Sequence, residues 1–280
     1  MSEGSWEKLS QVAVKGAQYN SCEHQPHPKC LEGTRVVLLN HIYKSLDNQG
    51  KNQLIWLHGT VGVRKSAVAF TVAERMRGLK VVEGSKERWL TGTFFFSCKH
   101  MKCRTTGYFF MTLVYQLASN FSSIREDMKR TILDNPALLD HDMSLCNQME
   151  VLFLQPLWKL QLRLHEGLPL TFVIDTLDEC INECINEDAS KSELTDLISL
   201  LGEALCDPDL PVTHILLMSH SEEHICVAMR TAEMHPLLCE IPVKTSGEGV
   251  TATISLDGID VDSDMCFLVT FIRKAGNSPS

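Results

Sequence analysis

The chain has 280 residues, 44% of them hydrophobic and 22% charged, with a formal net charge of −9 at pH 7. That length fits one large core, or a core with a small appendage, and leaves no room for a long repeat array. The acidic balance argues against a general nucleic-acid or anionic-membrane surface, and the absence of a signal core or a run of about 18 apolar residues points to a cytoplasmic protein.

Residues 1–30 are polar, with Pro and His, and predict a helix over 6–15 followed by a flexible entry. Eleven cysteines, an odd count, read as reduced thiols. Cys22, His24, His27 and Cys30 offer four soft ligands, but Pro26 and Pro28 stiffen the segment and the spacing is no familiar zinc pattern, so it reads as a linker with incidental ligands.

An apolar strand over 54–57 then runs into Gly59-Thr60-Val61-Gly62-Val63-Arg64-Lys65-Ser66, a near-match to the phosphate-binding pattern G-x-x-x-x-G-K-[S/T]. Arg64 stands where the second motif glycine belongs. Phosphate needs a nest of backbone N–H groups, and Gly59 and Gly62 allow the chain to wrap closely. Lys65 is a compact ammonium for the β and γ phosphates, and the Ser66 hydroxyl is a first ligand for Mg²⁺. A helix over 65–76 aims its positive end at the same anion. A side chain at Arg64 costs about 1–2 kcal/mol if its torsion is left-handed, equivalent to about five- to thirtyfold in affinity, whereas a guanidinium facing phosphate restores some of it. The sign is open at this point.

A strand over 91–96 follows, then Cys98-x-His100-x-x-Cys103, three ligands in a basic loop. Helices over 108–118, 123–133 and 149–165 carry apolar residues at three- and four-residue spacing. Residues 170–175 are a continuous apolar run ending in acid, the pattern of a buried parallel strand that delivers carboxylates at its C-terminal edge. Asp175 is placed there to hold Mg²⁺ through water, and Asp178 or Glu179 to orient or deprotonate an attacking water. Glu179-Cys180-Ile181-Asn182 repeats at once as Glu183-Cys184-Ile185-Asn186, read as a lengthened surface loop. A helix over 192–205, a strand over 214–219 and a weak strand over 239–242 complete an α/β sandwich of three layers, with a mainly parallel sheet and helices on both faces. The phosphate loop and Asp175 are expected on adjacent strand ends. Asp260, Asp262 and Asp264 lack the glycine and late glutamate of a calcium loop and read as helix-start acids, before an apolar run over 266–272 and a disordered tail over 275–280.

These pieces together resemble the NACHT-type P-loop NTPase domains of the signalling STAND class, in the nephrocystin-like version of fungal type. The carriers are Cys30-Leu31-Glu32-Gly33-Thr34-Arg35, the loop Gly59 to Ser66, Thr93-Phe94-Phe95-Phe96-Ser97, residues 113–118, Asp175-Thr176-Leu177-Asp178-Glu179-Cys180, and residues 215–218 with Ser219 and His220. The resemblance covers about residues 19–267. It implies ATP or GTP bound with Mg²⁺, Ser66 and Asp175 at the metal, contacts from residues 59–66, Asp175 and Ser219, and other STAND proteins or a second copy as partners. It also implies an arginine where this chain has His220, so hydrolysis or sensing should suffer more than binding. Residues 31–245 would form the nucleotide-binding domain, residues 1–30 its entry and residues 246–280 a shortened extension without the segments that close over the nucleotide in larger relatives. The leading expectation is nucleotide binding with weak or absent hydrolysis. A nucleotide-free interaction module is the alternative, and a small-molecule phosphotransferase the weakest reading because no lid signature is visible.

Overall fold

Side chains that alternate between the two faces of five parallel strands explain the architecture of the computed structural model, which describes residues 3–48, 51–78, 89–162, 169–180, 187–245 and 252–254. The strands are β1 (Gln53–Gly59), β2 (Trp89–Phe95), β3 (Leu170–Asp175), β4 (Thr213–Ser219) and β5 (Leu238–Thr245), with a short β6 (Ala252–Ile254) antiparallel to β5. Their spatial order is β2-β3-β4-β1-β5-β6. Trp56, Phe94, Phe172 and Leu217 enter one apolar cluster, while their neighbours Ile55, Phe95, Val173 and Leu216 enter another. A period of two thus feeds two cores, one on each face. Every residue of β3 and β4 is buried, as strands covered on both sides require.

One face is covered by α2 (Val36–Leu46) and α3 (Lys65–Gly78). The other carries α1 (Glu3–Val12), α4 (Phe109–Asn120), α5 (Ser122–Asp134), α7 (Gln155–Gln161), α8 (Glu187–Cys206) and α9 (Glu223–Met229); α6 (Leu145–Gln148) leads into α7. None of the helices among the described residues is long and apolar enough to cross a membrane.

Two expectations change in detail. The helix expected over 149–165 begins as a π-helical stretch, Met149–Leu154, and becomes α-helical only at Gln155, where Pro156 has no N–H to give. The phosphate loop and Asp175 are not on adjacent strands, because β4 lies between β1 and β3. Chain order cannot show that insertion; the fully buried β4 fills the central place. The four-residue duplication lies partly, and Asp260, Asp262, Asp264 and the tail lie wholly, outside the described residues.

The amino-terminal segment over residues 6–19 packs into the body. Leu9 and Ala17 are fully buried, Trp6 stacks on Tyr115 at 5.0 Å, and the Tyr19 backbone N–H donates to Thr93 Oγ1 at 3.1 Å.

Candidate phosphate-binding site

The phosphate loop joins β1 to α3 at the C-terminal edge of the sheet, where α/β proteins keep their ligand crevices. Gly59 is required by contact, since a β-carbon there would sit 2.3 Å from the Val243 carbonyl oxygen on β5. Gly62 is required by its φ of 87°. Arg64 has a φ of 57°, so the left-handed torsion is real, and its side chain is exposed. Thr60 and Val61 are exposed, and Val63 is buried.

Lys65 is 94% shielded from solvent by its surroundings, with only 6% exposure. Its Nζ donates to the Gly59 and Thr60 carbonyl oxygens at 3.0 and 3.2 Å, folding the ammonium back on its own loop. Burial lowers its pKa, while Asp178 and Asp175 oppose that shift. The loop is braced from outside by Arg35, whose guanidinium donates to the Val63 carbonyl and, at 3.4 Å, to that of Arg64.

Asp175 ends β3, 1% exposed, and accepts a hydrogen bond from the Ser66 hydroxyl. Its Oδ1 has no partner, and burial first of all pushes its carboxyl up to about 7. An unpartnered, desolvated carboxylate oxygen beside a serine hydroxyl suits a hard cation that takes oxygen ligands, so Ser66 and Asp175 fit Mg²⁺. The turn that follows is pinned by Thr176, whose hydroxyl donates to the Phe96 carbonyl at 2.7 Å.

The remaining expected residues are engaged with protein groups. The Asp178 side chain is 3% exposed; its Oδ1 accepts from the His220 backbone N–H at 2.6 Å, and its Oδ2 lies 2.8 Å from His220 Nδ1. Glu179 accepts from the Cys98 backbone N–H at 3.0 Å and raises the Cys98 thiol pKa. Ser219 is fully buried: its hydroxyl accepts from Trp56 Nε1 and donates to the His220 carbonyl, both at 2.9 Å. Position 219 therefore supports its neighbour His220.

The structure thus brings Gly59 to Ser66, Asp175 and Asp178 together, and it adds contacts that the sequence did not show. Arg35, read there only as the end of the entry segment, braces the loop. Just before Gly59, His58 stacks on Trp56 at 3.9 Å and places its ring nitrogens 2.9 Å from Ser221 Oγ and from Glu240 Oε1. Burial lowers the His58 pKa despite Glu240. A histidine closing an otherwise apolar strand was the available signal.

The early cysteine and histidine ligands do not converge. The His24 ring packs on Phe95 at 5.4 Å, and His27 stacks on Phe70 at 4.8 Å. Among the described residues, metal-ligand spacing occurs only at Asp140, His141 and Asp142 and at Asp178, His220 and Glu222. Cys98, His100 and Cys103 are absent from both groups; burial raises the Cys103 thiol to about 11.

A family model described as Nephrocystin 3, N-terminal, matches residues 33–220. Two similar solved structures are the Drosophila ORC bound to GC-rich DNA and Cdc6, and the Drosophila ORC bound to DNA. Each is 11% identical with a TM-score of 0.37; the matches cover 86% and 85% of this chain and 31% and 47% of those chains. This chain therefore spans under half the length of either. No curated protein matches.

Proposed function

The chain belongs to the nephrocystin 3 N-terminal family, and from that premise we propose that it is a nucleoside-triphosphate-binding module, for ATP or GTP with Mg²⁺, with slow or absent hydrolysis. The observation that carries this reading is the pairing of the Ser66 hydroxyl with buried Asp175, whose Oδ1 has no partner, next to Lys65. A buried carboxylate left half satisfied is costly unless a ligand completes it.

Gly59 to Ser66 would wrap the phosphates with backbone N–H groups, and Lys65 would leave the Gly59 and Thr60 carbonyls to reach them. When bound, Mg²⁺ would neutralise phosphate charge. Slow turnover follows from the two acids. Both Asp178 oxygens face His220, and Glu179 is held by Cys98. Glu179 is the better candidate base, because both Asp178 oxygens are committed to His220; Asp178 positions His220. Partners of the STAND class, or a second copy, would read the nucleotide state.

The test is equilibrium binding of ATP, ADP, GTP and GDP, with and without Mg²⁺, to the parent chain and to Lys65→Ala. Nucleotide at 100 times its Kd should stabilise the parent by about 2.7 kcal/mol, and Lys65→Ala should lose that shift. No shift with any nucleotide at millimolar concentration overturns the proposal in favour of a nucleotide-free interaction module.

A further inference from the structure

Where β3 and β4 end, Asp178, His220 and Glu222 place three ligand atoms within 4.8 Å of one another. We propose that they form a binding site for a divalent transition-metal ion, Zn²⁺ foremost, separate from the Mg²⁺ site of Ser66 and Asp175.

The placement is rigid at its inner end. His220 directly follows β4, and its backbone N–H fixes Asp178 through Oδ1 at 2.6 Å. That leaves Asp178 Oδ2 facing His220 Nδ1 at 2.8 Å. Zinc bonds of about 2.0–2.2 Å at tetrahedral angles put ligand atoms about 3.4 Å apart. The separations, 2.8 Å for this pair and none above 4.8 Å across the group, leave room for small shifts to reach that value. A metal ion would take the place of a proton shared by ring and carboxylate.

His224 Nδ1 lies 3.6 Å from Glu222 Oε2 but stands outside the group that converges with Asp178 and His220, so the fourth position falls to water. An imidazole nitrogen between two carboxylates suits an ion of intermediate softness better than Mg²⁺ or Ca²⁺, which take oxygen. Access is one-sided: the Asp178 side chain is 3% exposed, His220 32% and Glu222 45%. A buried carboxylate anchors the site while its other members open to solvent. The second group, Asp140, His141 and Asp142, is exposed at all three positions and has no such anchor.

Occupancy would set a cation against Asp178, which already acts electrostatically on Lys65 and Asp175. That consequence for the phosphate site rests on the proposed nucleotide function; the metal site itself does not.

The experiment uses the full chain stripped with a chelator, without nucleotide, titrated with Zn²⁺ against a chromophoric competitor. Co²⁺ then serves as a spectroscopic probe, because the eleven cysteines offer a competing thiolate site. One equivalent should bind, with visible Co²⁺ bands and no near-ultraviolet thiolate charge transfer. His220→Ala and Glu222→Ala should each weaken binding on the order of tenfold or more, and His141→Ala should leave it unchanged. Denaturation midpoints of the stripped variants, matched to the parent, show that the fold is kept, and Glu222→Ala decides alone if His220→Ala does not fold. Thiolate charge transfer, undiminished binding in Glu222→Ala, or loss in His141→Ala overturns the site. Zinc binding as expected in a chain that binds no nucleotide overturns only the nucleotide reading.

Discussion

Arg64 holds its left-handed torsion, φ 57°, before any ligand arrives. The strain of about 1–2 kcal/mol is therefore already present in the free protein, and it does not subtract from affinity when phosphate binds. Arg64→Gly relieves it but adds freedom to the unfolded chain, about 0.4–1 kcal/mol in the other direction. The variant should be up to about 1.6 kcal/mol more stable by denaturant titration, with nucleotide affinity unchanged or weaker. A tenfold tightening would show that the loop strains only on binding. Asp175 gives a pH signature. Its carboxyl ionises near 3.8 when unfolded and is held protonated to about 7 in the fold. Between those values the native state keeps a proton that the unfolded chain has lost, so stability falls as pH rises and levels off above about 7. Asp175→Asn should remove that fall: no gain over the parent near pH 4, and a gain of at most about 4 kcal/mol near pH 8. A parallel pH dependence in parent and variant would sink the assignment. Gly59, Lys65, Ser66 and Asp175 were legible in sequence because their chemistry is written in short local patterns. Arg35 on the loop and His220 on Asp178 were not, since they meet partners 29 and 42 residues away.

Elements show the same division between local pattern and distant partner. The five parallel strands were readable from apolar runs, but the short antiparallel β6 was not, and neither was α2, because Val36 and Val37 at its start are 50% and 74% exposed and blur the periodicity. Nor could the sequence tell how the β2 edge is closed. Thr93, 1% exposed, has its backbone N–H and carbonyl on that side taken by one side chain: Gln116 Oε1 accepts at 3.0 Å and Gln116 Nε2 donates at 2.8 Å. An amide on α4 therefore substitutes for a neighbouring strand and blunts the edge. Gln116→Leu keeps the bulk and strands both groups, so it should destabilise by about 2–4 kcal/mol. Urea titration reads this directly; an unchanged midpoint would mean that water enters and satisfies the edge.

At the scale of the molecule, sheet order decides the site. With β4 between β1 and β3, the loop and Asp175 meet across a strand, and position 220 at the end of β4 lies in the gap between them. Two-sided burial of β3 and β4 announces a three-layer sandwich, but which strand is inserted depends on contacts that no local window contains. The amino-terminal segment is the other whole-molecule lesson, since its polar composition suggests a separable entry. In the fold, Leu9 and Ala17 are fully buried with the main core, Arg125 lies 4.8 Å over Trp6, and the Val14 N–H donates to Thr112 Oγ1 at 3.0 Å. A chain lacking residues 1–20 loses the Leu9 side chain from the core, worth about 2–5 kcal/mol alone, and bares Thr93 and Thr112. Against a total stability of about 5–15 kcal/mol for a domain, that loss should lower the denaturation midpoint sharply and speed proteolysis of the remainder. A truncated chain with the parent's midpoint would show the segment to be an appendage and would separate it from the sheet it now covers.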